Sequence, residues 1–327
     1  MKTENTTIRR RITVSVIGAS LPPMPSDHHP TATMAIRHWQ QAMQSELSQR
    51  PDLMVFPEVC DFFKPMTPTE KHEYLRQRGD QVLDFFRQTA RNQHCYIVFD
   101  SYRFRPEGGY ANSAWLLDRQ GNVIGVYDKN YLTAGEFDFG VIPGTESPVF
   151  TTDFGTLAMV ICFDLNFTEL LERYAAQKPD ILAFSSYYHG GLMQPYWAFR
   201  CRAHFLGSTV GTLESTILNP VGERLKYSTC YYKNITASIN TNCAVLHLDG
   251  NMEKLQAAID RYPGIVHFSD PGNLGCVLLT SEEPELTIPA LIQEFGFELF
   301  DDYYTRSSKA RDDCLRKHDV QYSSHHK

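Results

Sequence analysis

Apolar and polar residues alternate with two different periods along the first hundred residues. Residues 11–18 alternate with period two, which is typical of a strand with one buried face. Residues 31–49 and 69–91 carry apolar residues at helical spacing, which predicts two helices that face a core. The inward positions are Ile36, Trp39, Met43 and Leu47 in the first helix, and Leu75, Val82, Phe86 and Ala90 in the second.

Short apolar runs separated by helical patterns continue through the rest of the chain. Helices are predicted at 166–176, opened by Asn166 and Glu169 as a capping box, and at 196–206. Alternating strands and helices, with no Gly/Ser linker between them, predict a single layered α/β domain. The further predicted strands are 53–56, 95–99, 113–117, 123–127, 156–161, 181–184 and 208–218.

Composition narrows the class of protein without naming a function. The net charge of −7 provides no basic surface for nucleic acid, and no apolar run is long enough to cross a membrane. The N-terminal segment lacks the apolar core of a secretory signal, so we expect a cytoplasmic protein whose eight cysteines stay reduced. Their spacings contain no zinc pattern, and we expect neither a metal nor another cofactor.

The first candidate for chemistry is Cys162, at the end of the apolar run 156–161. A polar turn follows it and opens the next helix. A thiol at the end of a buried strand is held rigidly and can still be reached by a substrate. A cysteine on an apolar strand is more often an inert core residue, so the interpretation depends on other segments.

Two other polar residues also come just past short strands. Glu58 follows the run Leu53–Phe56, which Pro57 ends by removing a ladder donor. Lys129 follows the strand-like 123–127 among aromatic neighbours, where an unpaired ammonium is costly, and Glu136 is close enough in sequence to pair with it. The ends of strands in an α/β sheet are where sites collect.

These side chains together are suited to nucleophilic catalysis. A carboxylate such as Glu58 can take the proton of the Cys162 thiol and later hand it to a leaving amine. The thiol can form a covalent acyl intermediate. An ammonium such as that of Lys129, together with a backbone N–H after the cysteine, can stabilise an oxyanion.

The order of these segments along the chain and the residues within them resemble the nitrilase superfamily of carbon–nitrogen hydrolases. The matching motifs are Phe56-Pro57-Glu58, then Tyr127-Asp128-Lys129 with Glu136 behind, then Ile161-Cys162-Phe163-Asp164. The resemblance extends over residues 8–283 and implies a four-layer αββα sandwich and a homodimer or higher homo-oligomer. It also implies Glu58 as general base, Lys129 as oxyanion stabiliser, Cys162 as nucleophile and Glu136 as a second glutamate that positions Lys129 or the substrate.

The residues after the nucleophile bear on which bond is cut. Nitrile-cleaving members typically have Trp-Glu after the cysteine, whereas this chain has Phe163-Asp164, which is more similar to amidases and carbamoyl hydrolases. We therefore expect hydrolysis of a linear, non-peptide amide, with N-carbamoyl amines next and nitriles third. A catalytically silent binding module on the same fold is the alternative of another class. The chain departs from the family at 201–206, where a Glu and an Asn are missing, and at the insertion-like 227–242.

Aromatic residues near the three strand ends are candidates for binding the substrate. They suit a substrate with an apolar body and one polar amide end. The candidates are Phe62, Phe163, Tyr187, Tyr188 and His189. Residues 284–327 form a C-terminal extension that we expect to contact a partner subunit, with its last dozen residues mobile.

Overall fold

The computed structural model describes residues 10–24 and 29–324, with side chains described as far as residue 317. The chain forms two compact units, Met1–Thr241 and Asn242–Lys327. This break lies inside the range 8–283 that the sequence predicts as one domain. It lies there because the chain beyond Thr241 builds a sheet and a core of its own.

Two six-stranded sheets form the centre of the first unit. One has the order β12-β1-β2-β3-β4-β5 and the other the order β11-β10-β9-β8-β7-β6. Strands β1 to β3 are mutually parallel, as are β7 to β9, and the remaining neighbours are antiparallel. The strands are β1 (Arg11–Val16), β2 (Leu53–Val55), β3 (Tyr96–Phe104), β4 (Tyr110–Leu117), β5 (Val123–Asp128), β6 (Val149–Thr152), β7 (Gly155–Ile161), β8 (Ile181–Ser186), β9 (His204–Thr209), β10 (Thr216–Leu218), β11 (Arg224–Tyr227) and β12 (Ile235–Asn240).

Helices cover the outer faces of both sheets. The helices of this unit are α1 (Ala32–Ala42), α2 (Gln44–Leu47), α3 (Pro68–Arg78), α4 (Gln81–Gln93), α5 (Ala134–Asp138), α6 (Thr168–Gln177) and α7 (Met193–Cys201). Trp39 of α1 and Phe86 of α4 pack on the first sheet, and Leu170 of α6 and Trp197 of α7 pack on the second.

The inner faces of the two sheets share one apolar core. Val14 and Val55 of the first sheet are fully buried against Leu157 and Met159 of the second. These are the inward positions of strands whose alternate residues face the covering helices. The unit is therefore an αββα sandwich, and the predicted fold is confirmed.

Two predicted elements end earlier than the sequence indicates. The helix predicted at 196–206 is α7, which stops at Cys201 because Arg202 takes a left-handed conformation with φ of 56°. The strand predicted at 208–218 is two antiparallel strands, β9 and β10, separated by a turn at Gly211 with φ of 68°. Apolar residues continue through both breaks, so hydrophobic periodicity alone does not reveal them.

The predicted capping box at Asn166 and Glu169 is wrong. Residues Cys162–Asn166 form a 3₁₀ turn, and α6 begins only at Thr168 with Phe167 as its N-cap. The Asn166 side chain instead donates to the carbonyl of Phe163 at 3.1 Å. Its hydrogen bond stabilises the turn after the cysteine rather than the helix.

The insertion-like segment 227–242 supplies a strand. Within it, β12 pairs antiparallel with β1 along six residues, from Arg11 with Asn240 to Val16 with Ile235. The segment completes one edge of the first sheet.

The second unit contains a three-stranded sheet of order β13-β15-β14. Its core includes Leu246, Leu255, Leu279 and Leu291. Its elements are β13 (Cys243–His247), α8 (Met252–Arg261), β14 (Val266–Ser269), β15 (Cys276–Ser281), α9 (Ile288–Phe295) and α10 (Phe300–Ser324).

The predicted C-terminal extension, residues 284–327, consists largely of α9 and α10. Near its start, α10 packs on β13 through Tyr303, whose ring stacks on His247 with 3.6 Å between ring centroids. The expected contact with a partner subunit stays a prediction. So does the mobility of the last dozen residues, of which 325–327 lie outside the described residues.

Candidate active site

The three candidate residues come from the ends of three strands. Lys129 directly follows β5, Cys162 directly follows β7, and Glu58 is the third residue after β2. Strand β5 runs in the same direction as β2 because it is antiparallel to β4, which is antiparallel to β3. The carboxyl ends of β2 and β5 therefore lie at the same edge of the first sheet, where sites in α/β folds collect.

Lys129 is held between two carboxylates. Its Nζ lies 2.8 Å from Oε1 of Glu58 and 2.9 Å from Oε2 of Glu136. All three side chains are buried, and that of Lys129 is only 1% exposed. Burial by itself lowers the pKa of Lys129, but the charges of Glu58, Cys162 and Glu136 outweigh it and raise that pKa above its usual value. The ammonium is therefore permanently charged and fixed in place.

Asn112 of β4 joins the two glutamates, and the sequence did not single it out. Its Nδ2 donates to Oε1 of Glu136 at 2.7 Å and to Oε1 of Glu58 at 3.0 Å. The pKa of Glu136, which burial tends to raise, is lowered by the Lys129 charge and by this hydrogen bond. An asparagine within a buried strand was the only signal in the sequence, and many structural asparagines share it.

Glu58 is also tied to the second sheet. Its Oε2 accepts the backbone N–H of Tyr187, just past β8, at 3.0 Å. Both oxygens of the carboxylate therefore accept hydrogen bonds, which fixes its direction toward the cysteine.

Cys162 adopts a left-handed backbone conformation, with φ of 46°. Such a conformation is strained for a residue other than glycine and is often found at functional sites. Burial raises the pKa of its thiol well above the usual range, and the charge of Glu58 raises it further, against the opposing effects of Lys129 and of a hydrogen bond with Ser186. The Cys162 side chain is therefore a neutral thiol close to the Glu58 carboxyl group.

Asp164 connects the cysteine turn to the segment after Lys129. Its carboxylate accepts the N–H of Ile161 at 3.1 Å, the N–H of Tyr131 at 2.8 Å and the hydroxyl of Tyr127 at 2.7 Å. Burial raises its pKa to about 7, partly offset by these hydrogen bonds. Asp164 therefore fixes the position of Cys162 relative to Lys129.

Asp100 of β3 holds the residue after Glu58. Val59 has φ of 43°, a costly conformation for a β-branched side chain, and its N–H donates to Oδ1 of Asp100 at 2.5 Å. Oδ2 of Asp100 is buried without a hydrogen-bond partner among the described residues. Burial raises the pKa of this carboxyl well above its usual value, and the charge of Glu58 adds to the effect. The Asp100 carboxyl group therefore holds Val59, and with it the backbone of Glu58.

Asp100→Ala should therefore impair the enzyme while Asp100→Asn does not. Alanine leaves the Val59 N–H without its acceptor, which costs about 1–3 kcal/mol of unfolding free energy, and it frees the Glu58 backbone. Asparagine keeps a carbonyl oxygen that can accept the N–H of Val59, and it has nearly the shape of the carboxyl group. Urea unfolding and kcat of both variants check this. Equal losses in the two variants would contradict the proposed role.

The site residues lie in one cavity of about 770 Å³. Most of its wall is apolar and aromatic, while the charged lining residues are three lysines and two glutamates. The lining residues are Pro23, Glu58, Val59, Phe62, Phe63, Lys64, Pro65, Met66, Lys71, Tyr102, Lys129, Thr133, Gly135, Glu136, Cys162 and Tyr187.

The cavity contains two of the five aromatic candidates. Phe62 and Tyr187 line it, and the described lining does not include Phe163, Tyr188 or His189. The Tyr188 hydroxyl donates to Asn166 at 2.8 Å, and His189 lines a separate cavity of about 340 Å³. Past the end of β8, successive side chains point to opposite sides, so Tyr187 and Tyr188 face different surroundings.

The residues that the structure describes contain no cluster of His, Cys, Asp and Glu able to hold a metal ion. None of the described helices is both long and apolar enough to span a membrane.

The known proteins that this chain resembles include hydrolases and amidases. The matched curated relatives include a probable hydrolase YhcX of Bacillus subtilis, 29% identical over 144 residues, and a 2-oxoglutaramate amidase of the same organism, 22% identical over 140 residues. Each match covers 42% of this chain, and the chain spans 28% and 53% of the length of these relatives.

Solved structures share the fold at low sequence identity. An amidase from Nesterenkonia sp. is 18% identical, with a TM-score of 0.62 over 72% of this chain and 93% of that one. Saccharomyces cerevisiae Nit3, a member of branch 10 of the nitrilase superfamily, is 14% identical, with a TM-score of 0.62 over 79% of this chain and 96% of that one.

A model of the carbon-nitrogen hydrolase family matches residues 14–209, more than half of the chain and all three strand ends described above. The protein therefore belongs to the carbon–nitrogen hydrolase family of the nitrilase superfamily.

Proposed function

We propose that this protein hydrolyses a linear, non-peptide amide to a carboxylate and ammonia or an amine, with Cys162 as nucleophile. The observation that carries the proposal is the Lys129 ammonium, held 2.8 Å from Glu58 and 2.9 Å from Glu136 in the same cavity as the Cys162 thiol. A buried ammonium with its position fixed in advance stabilises a developing oxyanion without reorganising during the reaction.

The first half of the reaction forms a thioester. Sulfur attacks the amide carbon while Glu58 takes the thiol proton, which keeps the buried site from having to hold a free thiolate. Lys129, together with the backbone N–H after the cysteine, stabilises the oxyanion. When the tetrahedral intermediate collapses, the C–N bond breaks and Glu58 returns the proton to the leaving ammonia or amine. Cys162 is left acylated.

The second half regenerates the thiol. Glu58, again a carboxylate, removes a proton from a water molecule as the oxygen of that water attacks the thioester carbon. The C–S bond then breaks, the proton passes to sulfur, and the carboxylic acid leaves. Throughout, Glu136 stays bound to Lys129 at 2.9 Å, so the ammonium keeps a carboxylate partner while Glu58 carries the proton.

The names of the matched relatives favour an amide as the substrate over an N-carbamoyl amine or a nitrile. The matches include a 2-oxoglutaramate amidase and a human deaminated glutathione amidase, at 22% and 26% identity. The walls of the cavity suit a substrate with an apolar body and one polar end. N-carbamoyl amines and nitriles use the same nucleophile and remain the alternatives in the test.

Ammonia release from a panel of linear amides, N-carbamoyl amines and nitriles tests the proposal. We expect turnover of amides, reduced by about 10⁴-fold or more in Cys162→Ala. The matched control is Cys95→Ala, which removes another buried thiol that does not line the cavity. Turnover that survives in Cys162→Ala would show that Cys162 is not the nucleophile. Turnover confined to nitriles or N-carbamoyl amines would show that the substrate is not an amide.

A further inference from the structure

Two of the three lysines that line the cavity are not used by the proposed chemistry. Lys64 lies six residues after Glu58 in the same loop, and Lys71 lies in the first turns of α3. Lys64 is exposed and Lys71 half-buried, which places them at the mouth rather than the floor of the cavity.

Neither lysine has a carboxylate partner among the described residues. The two glutamates that line the cavity, Glu58 and Glu136, both bind Lys129. Lys64 instead places its Nζ 3.6 Å from the centroid of the Tyr187 ring, and Lys71 places its own 5.2 Å from that of Phe139. An aromatic face attracts an ammonium but does not neutralise it. Both charges thus remain available to a ligand.

The two ammonium groups also repel each other. Partial burial lowers the pKa of Lys64, and the charge of Lys71 lowers it further, although Glu58 and Cys162 act in the opposite direction. Bringing two like charges to one partly desolvated wall costs free energy that an anion between them recovers. The protein as a whole carries a net charge of −7, so this local excess of positive charge is not a consequence of its composition.

We propose that Lys64 and Lys71 form an anion subsite, which binds a carboxylate at the end of the substrate distal to the amide that is cleaved. The inference rests on the proposed function and narrows its substrate class to monoamides of dicarboxylic acids. The amide end lies at Cys162 and Lys129, the apolar wall around Phe62 holds the methylene chain, and the carboxylate meets the lysines.

Binding to the Cys162→Ala protein tests the subsite apart from the chemistry. The probes are the monoamide of glutaric acid and pentanamide, which have chains of equal length and differ in the distal carboxylate. We expect calorimetry to show at least about tenfold tighter binding of the acid, with a preference that weakens as salt is added.

Lysine variants of the Cys162→Ala protein show whether Lys64 and Lys71 cause the preference for the probe with a distal carboxylate. Adding Lys64→Met and Lys71→Met should reduce the preference to about twofold or less. Lys64→Arg with Lys71→Arg should preserve most of it and shows that charge is what matters. Lys226→Met, on the exposed strand β11, is the control and should change nothing. Thermal unfolding of each variant checks that the fold is intact.

Equal binding of the two probes would overturn the inference, as would a preference that survives both Met substitutions. Failure of the proposed function is a separate result, because it appears as the absence of ammonia release by the parent protein. A series of monoamides with three to six carbons then measures the span between the subsite and Cys162, since only one or two lengths should bind best.

Discussion

Replacing Lys129 with methionine is expected to lower the free energy of unfolding by about 3–5 kcal/mol and to abolish turnover. The substitution leaves Glu58 and Glu136 buried, close together and both within hydrogen-bonding distance of the one Asn112 amide. Two carboxylates in such a place cannot both stay ionised at low cost, so at least one takes up a proton. Turnover is lost because the oxyanion has no cation opposite it and the base is no longer a carboxylate.

The same argument predicts the direction in which the free energy of unfolding of Lys129→Met changes with pH. In Lys129→Met the folded-state pKa of the carboxylate pair lies above the unfolded value, so folding takes up a proton. The variant is therefore most stable at acid pH and loses stability as pH rises through the folded pKa.

In the parent protein the sign is opposite. Lys129 holds the pKa of Glu136 below its usual value, so the stability it contributes is present above the unfolded pKa and is lost as pH falls. Urea unfolding of both proteins from about pH 3 to about pH 8 covers both ranges, because the parent loses this stability below the unfolded pKa of Glu136 and the variant loses stability above it. The control is Lys226→Met. A variant with parental stability at every pH would show that Lys129 does not balance these buried charges.

Replacing Glu58 with glutamine is expected to separate catalysis from thiol ionisation. Turnover should fall by about 10²–10⁴-fold, since glutamine cannot accept the proton of the thiol. The fold should persist, because Lys129 keeps Glu136 as its partner and a glutamine oxygen can still accept the N–H of Tyr187.

The thiol should respond in the opposite direction. Burial is the main cause of the raised pKa of Cys162, and the negative charge of Glu58 raises it further. Glutamine removes that charge and leaves the Lys129 ammonium, so the pKa falls. Labelling of Cys162 by iodoacetamide, followed by mass spectrometry against pH, should therefore show its midpoint at lower pH in Glu58→Gln. Glu253→Gln, on the exposed side of α8, is the control. A midpoint at higher pH would mean that Glu58 promotes the thiolate in the resting enzyme.

The strand ends were the part of the site that could be predicted. Glu58, Lys129 and Cys162 each come after a short apolar run, and the geometry of parallel strands places such positions together. Asn112 and Asp100 could not be found in the same way, because both lie within strands and act through hydrogen bonds to residues distant in sequence. No local pattern distinguishes them from other polar residues in strands.

The walls of the cavity were harder to predict than its floor. The consecutive residues Tyr187 and Tyr188 have the same chemistry, yet only Tyr187 lines the cavity. The direction of a side chain past the end of a strand depends on the register and on the loop that follows. Lys64 and Lys71 were missed because a lysine in a polar loop or on a helix is usually a solvated surface residue.

The pairing of β12 with β1 determines where the chain can be truncated without exposing a strand edge. Strand β12 lies more than two hundred residues after β1, and it covers an edge that would otherwise present free N–H and C=O groups. During synthesis, the first sheet remains open on that side until residue 240 has left the ribosome. A fragment cut at residue 209, where the family match ends, lacks this strand and carries an exposed strand edge into solution. The shortest unit that can fold without that liability ends at Thr241.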